Sequence, residues 1–239
     1  MNLHRTAFPV AACLGAALAI LTAADAQAAP VPAKITLHYD VKMYGMSLAE
    51  GIETLEHDGK TYRITSEAKG KGVVAALYPG AIRREARGTI VPQGLRTLEF
   101  QDQRGDREPM RALFDWDRKT ILQSRDGKSE IIKMPEDASD RLSFFYQYAF
   151  APLPLRELHV TAVDGRGTTR YNFLPGVREK LVTPLGELDT VKIVKQRDGP
   201  DDKGTEVWFA PALHYLPVRI LVIEKNGDRA DQIISRIEQ

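Results

Sequence analysis

Ile35-Thr36-Leu37-His38-Tyr39-Asp40-Val41-Lys42-Met43 decides how this chain is read. Apolar side chains occupy every second position, and Thr36, His38, Asp40 and Lys42 fill the gaps. Successive side chains of a strand point to opposite faces, so the segment has one apolar and one polar face. The alternation returns at Tyr62 and Ile64, at Leu98 and Phe100, and at Ala112, Phe114 and Trp116. Further along it marks Tyr171 and Phe173, Val191 and Ile193, Val207 and Phe209, and Val218, Ile220 and Val222. Strands of this kind need only one buried face, which suits a curved sheet round a single interior.

The turns agree. Asp58-Gly59, Asp126-Gly127, Asp164-Gly165, Asp198-Gly199 and Asn226-Gly227 separate the alternating runs, and Pro184-Leu185-Gly186 adds another turn. Asx-Gly supplies the positive backbone angles of tight hairpins. The pattern predicts an all-β, mainly antiparallel domain: a curled sheet, a partly closed β-barrel or a β-spiral. Two segments depart from it. Residues 71–78 (KGVVAALY) predict a short helix, and residues 139–150 predict a central α-helix against the inner face of the sheet. Asp137 or Ser139 is expected to cap that helix, with Asp140 in its first turn and Pro152 and Pro154 after its end. Leu142, Phe145, Tyr146 and Ala149 share one of its faces.

Residues 1–28 read as an export signal: Arg5 in a positive start, an uncharged Ala- and Leu-rich stretch to Ala24, and Ala26-Gln27-Ala28 as a small-x-small cleavage site. Residues 29–239 then form one β-rich domain with the periplasm as its expected location. An uncleaved membrane anchor is the competing reading of the first segment. Val10-Ala11-Ala12-Cys13 also resembles a lipobox, but the apolar stretch before it is short. Cys13 is the chain's one cysteine, so the exported domain has no disulfide and its stability rests on a core. No later segment is long and apolar enough to span a bilayer.

The 33 Lys and Arg residues nearly cancel 32 Asp and Glu, leaving a formal charge of +1. Even the Arg-rich run from Arg83 to Lys119 interleaves acids, as solvated strand faces do, which argues against nucleic acid. The histidines His38, His57, His159 and His214 lie far apart and form no metal-ligand spacing, so no metal or other cofactor is expected. Gly45-Met46-Ser47-Leu48-Ala49 lacks the second glycine of a nucleophile elbow. Gly70-Lys71-Gly72 lacks the spacing of a phosphate-binding loop. The chain is read as non-enzymatic.

The ligand-binding candidates are aromatic. Phe144, Phe145 and Tyr148 belong to a run too aromatic for a single helix stripe, so it either lines a cavity or packs as core. Trp208, Tyr215 and Arg219 gather near the turn between Pro211 and Pro217, where local burial explains them as well as binding does. Arg83, Arg84 or Arg219 would meet a head group.

Several segments in order resemble an exported bacterial family known as domain of unknown function 3108. They are the hairpin from Tyr39 to Gly51, the segment from Gly70 to Tyr78 with the strand ending at Gly88, and Asp137-Ala138-Ser139 leading to Tyr148. The turn Thr183-Pro184-Leu185-Gly186 follows, before the strand through Thr190 and Ile193. Val207-Trp208-Phe209-Ala210-Pro211 comes last, with Leu216-Pro217-Val218-Arg219 five residues on. The resemblance implies secretion to the envelope and a β-rich fold, and no established activity. A more distant likeness of fold is to LolA-like β-spiral carriers, which wrap acyl chains. These readings point to a periplasmic envelope protein that holds an apolar or lipid-like ligand in a curled-sheet cavity. The alternatives are a scaffold that pairs with an envelope partner through a strand edge or an aromatic rim and, less favoured, an exported hydrolase.

Overall fold

The computed structural model describes residues 30–77, 79–153, 156–199 and 202–239. The export signal, the Cys13 motif and the position of Pro154 lie outside the described residues. Residues Val31–Gln239 form one compact unit. Its strands are β1 (Lys34–Met43), β2 (Met46–His57), β3 (Thr61–Gly70), β4 (Ile82–Val91), β5 (Gly94–Arg104), β6 (Met110–Asp115), β7 (Thr120–Arg125) and β8 (Lys128–Lys133). The short β9 (Ala138–Asp140) is followed by β10 (Leu158–Asp164), β11 (Gly167–Phe173) and β12 (Val177–Thr183). Then come β13 (Gly186–Val194), β14 (Gly204–Ala210), β15 (Leu216–Ile223) and β16 (Arg229–Glu238).

Thirteen strands make one antiparallel sheet in the order β12-β13-β14-β15-β16-β1-β2-β3-β4-β5-β6-β7-β8. The two ends of the unit meet where β16 pairs with β1. The sheet curls without closing, so β8 and β12 are its edges. A second sheet, β11-β10-β9, has one parallel pair, β9 with β10. Hairpin turns fall at Asp58-Gly59, Asp126-Gly127, Asp164-Gly165 and Asn226-Gly227, with positive φ at Gly59, Asp126, Gly127 and Gly227, whereas Asp198-Gly199 lies within the longer connection between β13 and β14.

Ile35, Leu37 and Tyr39 of β1 are buried, as are Leu55, Ile64, Ala86, Phe100, Ala112 and Ile121 on the following strands. This is the inner face of the curl. Phe144, Tyr148, Phe173, Val191, Ile193, Val207 and Phe209 build an adjoining cluster. Burying a large apolar side chain contributes about 1.5–3 kcal/mol, so these two clusters dominate the stability of a chain without disulfides.

The short helix α1 (Gly72–Leu77) forms within the predicted segment. The central helix does not extend as predicted. Ser139 lies in β9, paired with Ala162, and only α2 (Ser143–Tyr146) and a 3-10 turn at Gln147–Ala149 are helical. Asp140 is the reason for the late start. Its buried carboxylate accepts the N–H groups of Leu142 and Ser143 at 2.7 and 2.8 Å, so the turn begins there. Asp137, the predicted cap, instead accepts the Thr161 hydroxyl at 2.8 Å. The aromatic run also rejects one long helix, which presents only one stripe to a core. In the observed turns Leu142 and Tyr146 enter one cluster while Phe144 and Tyr148 enter the other.

Candidate functional site

The six sequence candidates fall into two groups. Phe144, Phe145, Tyr148 and Tyr215 join the second cluster. Phe144 stacks on Phe173 with centroids 5.4 Å apart, and Tyr148 meets Phe209 edge-on at 5.2 Å. Trp208 and Arg219 form the other group. The Trp208 ring is buried between the Arg219 guanidinium, 4.6 Å from its centroid, and the Lys192 ammonium at 4.8 Å. Its Nε1–H donates to Glu179 at 2.5 Å. Arg219 donates twice to Asp231, both at 2.7 Å. Phe144, Tyr148 and Trp208 are thus covered by the protein's own side chains. The filling of the inner face by Tyr39, Phe100, Tyr146, Phe173 and Phe209 follows the same rule.

An exposed concave site lies on the opposite face of the sheet. Outward residues Leu113, Leu122 and Ile131 are direct cross-strand neighbours on β6, β7 and β8. Together with Leu98 and Trp116 they floor a groove of about 640 Å³ rimmed by Arg96, Asp115, Asp117 and Arg118. Ile131, on the edge strand, is 70% exposed. Cross-strand apolar neighbours on one face normally pack against something, and here they meet solvent.

Local geometry explains the groove. The β4–β5 pairing steps from Arg87↔Glu99 to Gly88↔Thr97, so Leu98 is the extra residue of a bulge and turns outward. The bulge requires Gly88: a Cβ there would stand 2.0 Å from the Arg96 carbonyl oxygen and 2.8 Å from the Tyr62 ring. Trp116 is held by its Nε1–H, which donates to the Thr97 carbonyl at 2.7 Å. Arg96 and Lys119 lie 5.1 and 5.9 Å from its ring centroid. Trp116 is partly buried: it packs against the first core cluster, stacked 6.4 Å from Phe114, and also lines the groove beside Asp115, Asp117 and Arg118.

The inner face also carries ionisable groups. Glu53 is buried and accepts from Tyr146 Oη at 2.5 Å and Ser66 Oγ at 3.0 Å. Burial raises its pKa, and these donors offset only part of that effect. Asp140 is raised for the same reason, against bonds from Ser143, Thr97 and Leu142. Among the described residues no three His, Cys, Asp or Glu side chains gather to hold a metal ion, and no helix is long and apolar enough to cross a membrane.

No curated protein matches this chain. Among solved structures it is similar to a beta-barrel-like protein of the domain of unknown function DUF1849 from Brucella abortus. The two share 9% identity over 87% of this chain and 98% of that one, with a TM-score of 0.52. A structure named "a putative lipoprotein" from Parabacteroides distasonis aligns at 10% identity, over 87% and 97% of the two chains, with a TM-score of 0.37. At such identity the Brucella likeness speaks to the fold, a barrel-like curl of antiparallel strands. The family described as "Protein of unknown function (DUF3108)" matches residues 38–232. That span runs from β1 into β16 and takes in both sheets, so the chain belongs to the DUF3108 family.

Proposed function

We propose that this protein is a non-catalytic binding protein of the cell envelope, exported to the periplasm, which takes an apolar or lipid-like ligand on the outer groove of β5–β8. The observation that carries this reading is the exposed row Leu113–Leu122–Ile131 beside Leu98 and Trp116. The export signal read in residues 1–28 supports the location. The apolar ligand is assigned to the outside because the inward candidates Phe144, Tyr148 and Trp208 are buried under the protein's own side chains. Each buried methylene of an acyl chain contributes about 0.8 kcal/mol, and Arg96 and Arg118 stand at the rim to meet an anionic head group.

Trp116 makes the test direct. The chain has two tryptophans, so Trp208→Phe leaves Trp116 as the sole reporter. Titration with a sixteen-carbon fatty acid (probe length on the order of the ~640 Å³ groove) is expected to shift its emission. Ile131→Glu is expected to weaken binding at least tenfold. An unchanged emission, together with no lipid in native mass spectra of gently purified protein, would sink the proposal. The second reading is a protein scaffold that adds a partner strand to β8. The observation favouring it is the exposure of Ile131 on that unpaired edge. Ser129→Pro separates the two, because it blocks strand addition and leaves the apolar floor in place.

A further inference from the structure

One register row of the inner face reads Glu53, Ser66, Arg84, Asp102 across β2 to β5. Its first half is closed on itself, since Tyr146 and Ser66 satisfy Glu53. Its second half is open. The Asp102 side chain is fully buried, yet only Oδ2 is approached, by Arg84 Nε at 3.4 Å and by Arg104 at 3.6 Å. Oδ1 has no hydrogen-bond partner among the described residues.

The β10–β11 turn brings a second acid to the same place. Asp164 faces Arg166 at 3.2 Å and Arg141 at 3.5 Å. Arg141 also reaches the Tyr171 hydroxyl at 3.4 Å. Burial opposes the Arg141 charge, but Tyr171, Asp164 and Asp102 together outweigh it and raise its pKa. The turn docks because Gly165 lacks a side chain: a Cβ would meet the Arg111 backbone nitrogen and the Met110 Cβ at 2.6 Å and the Ser124 carbonyl oxygen at 2.7 Å. The Gln123 amide locks it by donating to the Asp164 and Gly167 carbonyls at 2.5 and 3.0 Å.

Two half-buried guanidiniums, Arg84 and Arg141, and two exposed ones, Arg104 and Arg166, thus contact two buried carboxylates, four positive charges against two negative. A guanidinium carries five N–H donors. Arg219 spends its fork on Asp231 with two bonds of 2.7 Å, whereas every carboxylate contact in this cluster is 3.2 Å or longer. Guanidinium donors arriving from several directions match the oxygens of a tetrahedral oxyanion better than the two coplanar oxygens of a carboxylate. We propose that Arg84, Arg104, Arg141 and Arg166 form a binding site for a dianionic phosphate monoester, with Asp102 and Asp164 as positioning residues that hold the guanidiniums from behind. The site lies on the inner face, apart from the outer groove, and stands or falls separately from it.

Calorimetric titration of the mature chain with glycerol 3-phosphate, at low salt and pH 7, tests this. Saturable binding is expected, at least tenfold weaker in Arg104→Gln/Arg166→Gln and unchanged in Arg229→Gln, whose side chain is exposed elsewhere. Arg104 and Arg166 are exposed, so the double variant is expected to fold. The unmutated chain gives an independent readout. A phosphate monoester takes up a proton near pH 6, so affinity is expected to fall between pH 7 and pH 5. Absence of binding, a double variant that binds like the parent, acetate binding as tightly, or an affinity flat across that pH range would each overturn the proposal. Binding to phosphatidylglycerol vesicles without glycerol 3-phosphate binding would overturn it in favour of a phosphodiester head group.

Discussion

Asp140 and Asp102 are both buried carboxylates on the inner face, and they are finished differently. Asp140 accepts the Thr97 hydroxyl at 2.5 Å and two backbone N–H groups at 2.7 and 2.8 Å. Asp102 has one oxygen at the edge of two guanidiniums and another with no partner among the described residues. An unpaired buried acceptor opposes folding, so folding alone does not favour it. The contrast separates a carboxylate that builds the fold, by starting α2 and tying it to β5, from one whose surroundings are left open for something else.

The largest expected effect breaks or confirms this contrast. Asp140→Ala orphans three buried donors and is expected to destabilise by about 3 kcal/mol. Asp102→Asn removes only long contacts and is expected to cost about 1 kcal/mol or less. Urea midpoints of the two variants decide, and equal losses would remove the distinction. Next comes Gly165→Ala. Its methyl has no room against β6 and β7, so a loss of about 2 kcal/mol is expected from overpacking. Glycerol 3-phosphate binding should weaken with it, because Asp164 and Arg166 ride on that turn. A stable Gly165→Ala protein with intact binding would show that the docked turn does not position the site.

Glu53 sharpens the comparison through pH. Its folded pKa is raised by burial, so the folded state holds a proton that the unfolded state has already released. Stability from this group is therefore full below the unfolded pKa of about 4.3 and declines as pH rises through the folded value. Glu53→Gln removes that decline, so the variant is expected to gain on the parent between pH 4 and pH 7 in urea melts. A constant difference would show that Glu53 is not perturbed as described. The smallest effect has the opposite sign. Asp58, exposed at the β2–β3 turn, accepts from the Thr61 and Lys60 N–H groups and the Thr61 hydroxyl, which lowers its pKa to about 2. Its contribution is present above its unfolded pKa and is lost as pH falls through 2. Carboxyl NMR should place its midpoint there, and a midpoint near 4 would mean that the turn bonds do not hold in solution.

The alternation at Ile35 to Met43 and the Asx-Gly turns made the strands legible, because a period of two and a positive φ are local properties. The segment after Asp137 was not legible in the same way. Its i, i+4 spacing fits both one long helix and two short turns, and the choice rests on β9 pairing with β10 and on the Asp140 carboxylate. Phe144, Phe145, Tyr148, Trp208, Tyr215 and Arg219 were selected for being large and aromatic or cationic, and nothing local says whether such a side chain meets solvent or its neighbours. Leu98 was read on the same face as Phe100, and its exposure follows from a bulge at Gly88, a matter of register between strands. Arg84 was anticipated as a rim charge, but its ion-pair partner is the buried Asp102 on β5.

By itself the sequence determined two-faced strands, where the chain reverses and the sign of each face, since these depend on backbone angles and side-chain alternation over a few residues. Tertiary structure alone decided that the curl fills with its own aromatics, that an apolar row stays outside, and that four arginines from distant strands and turns converge on two acids. Those outcomes depend on packing volume and strand register, which no short window of the chain contains.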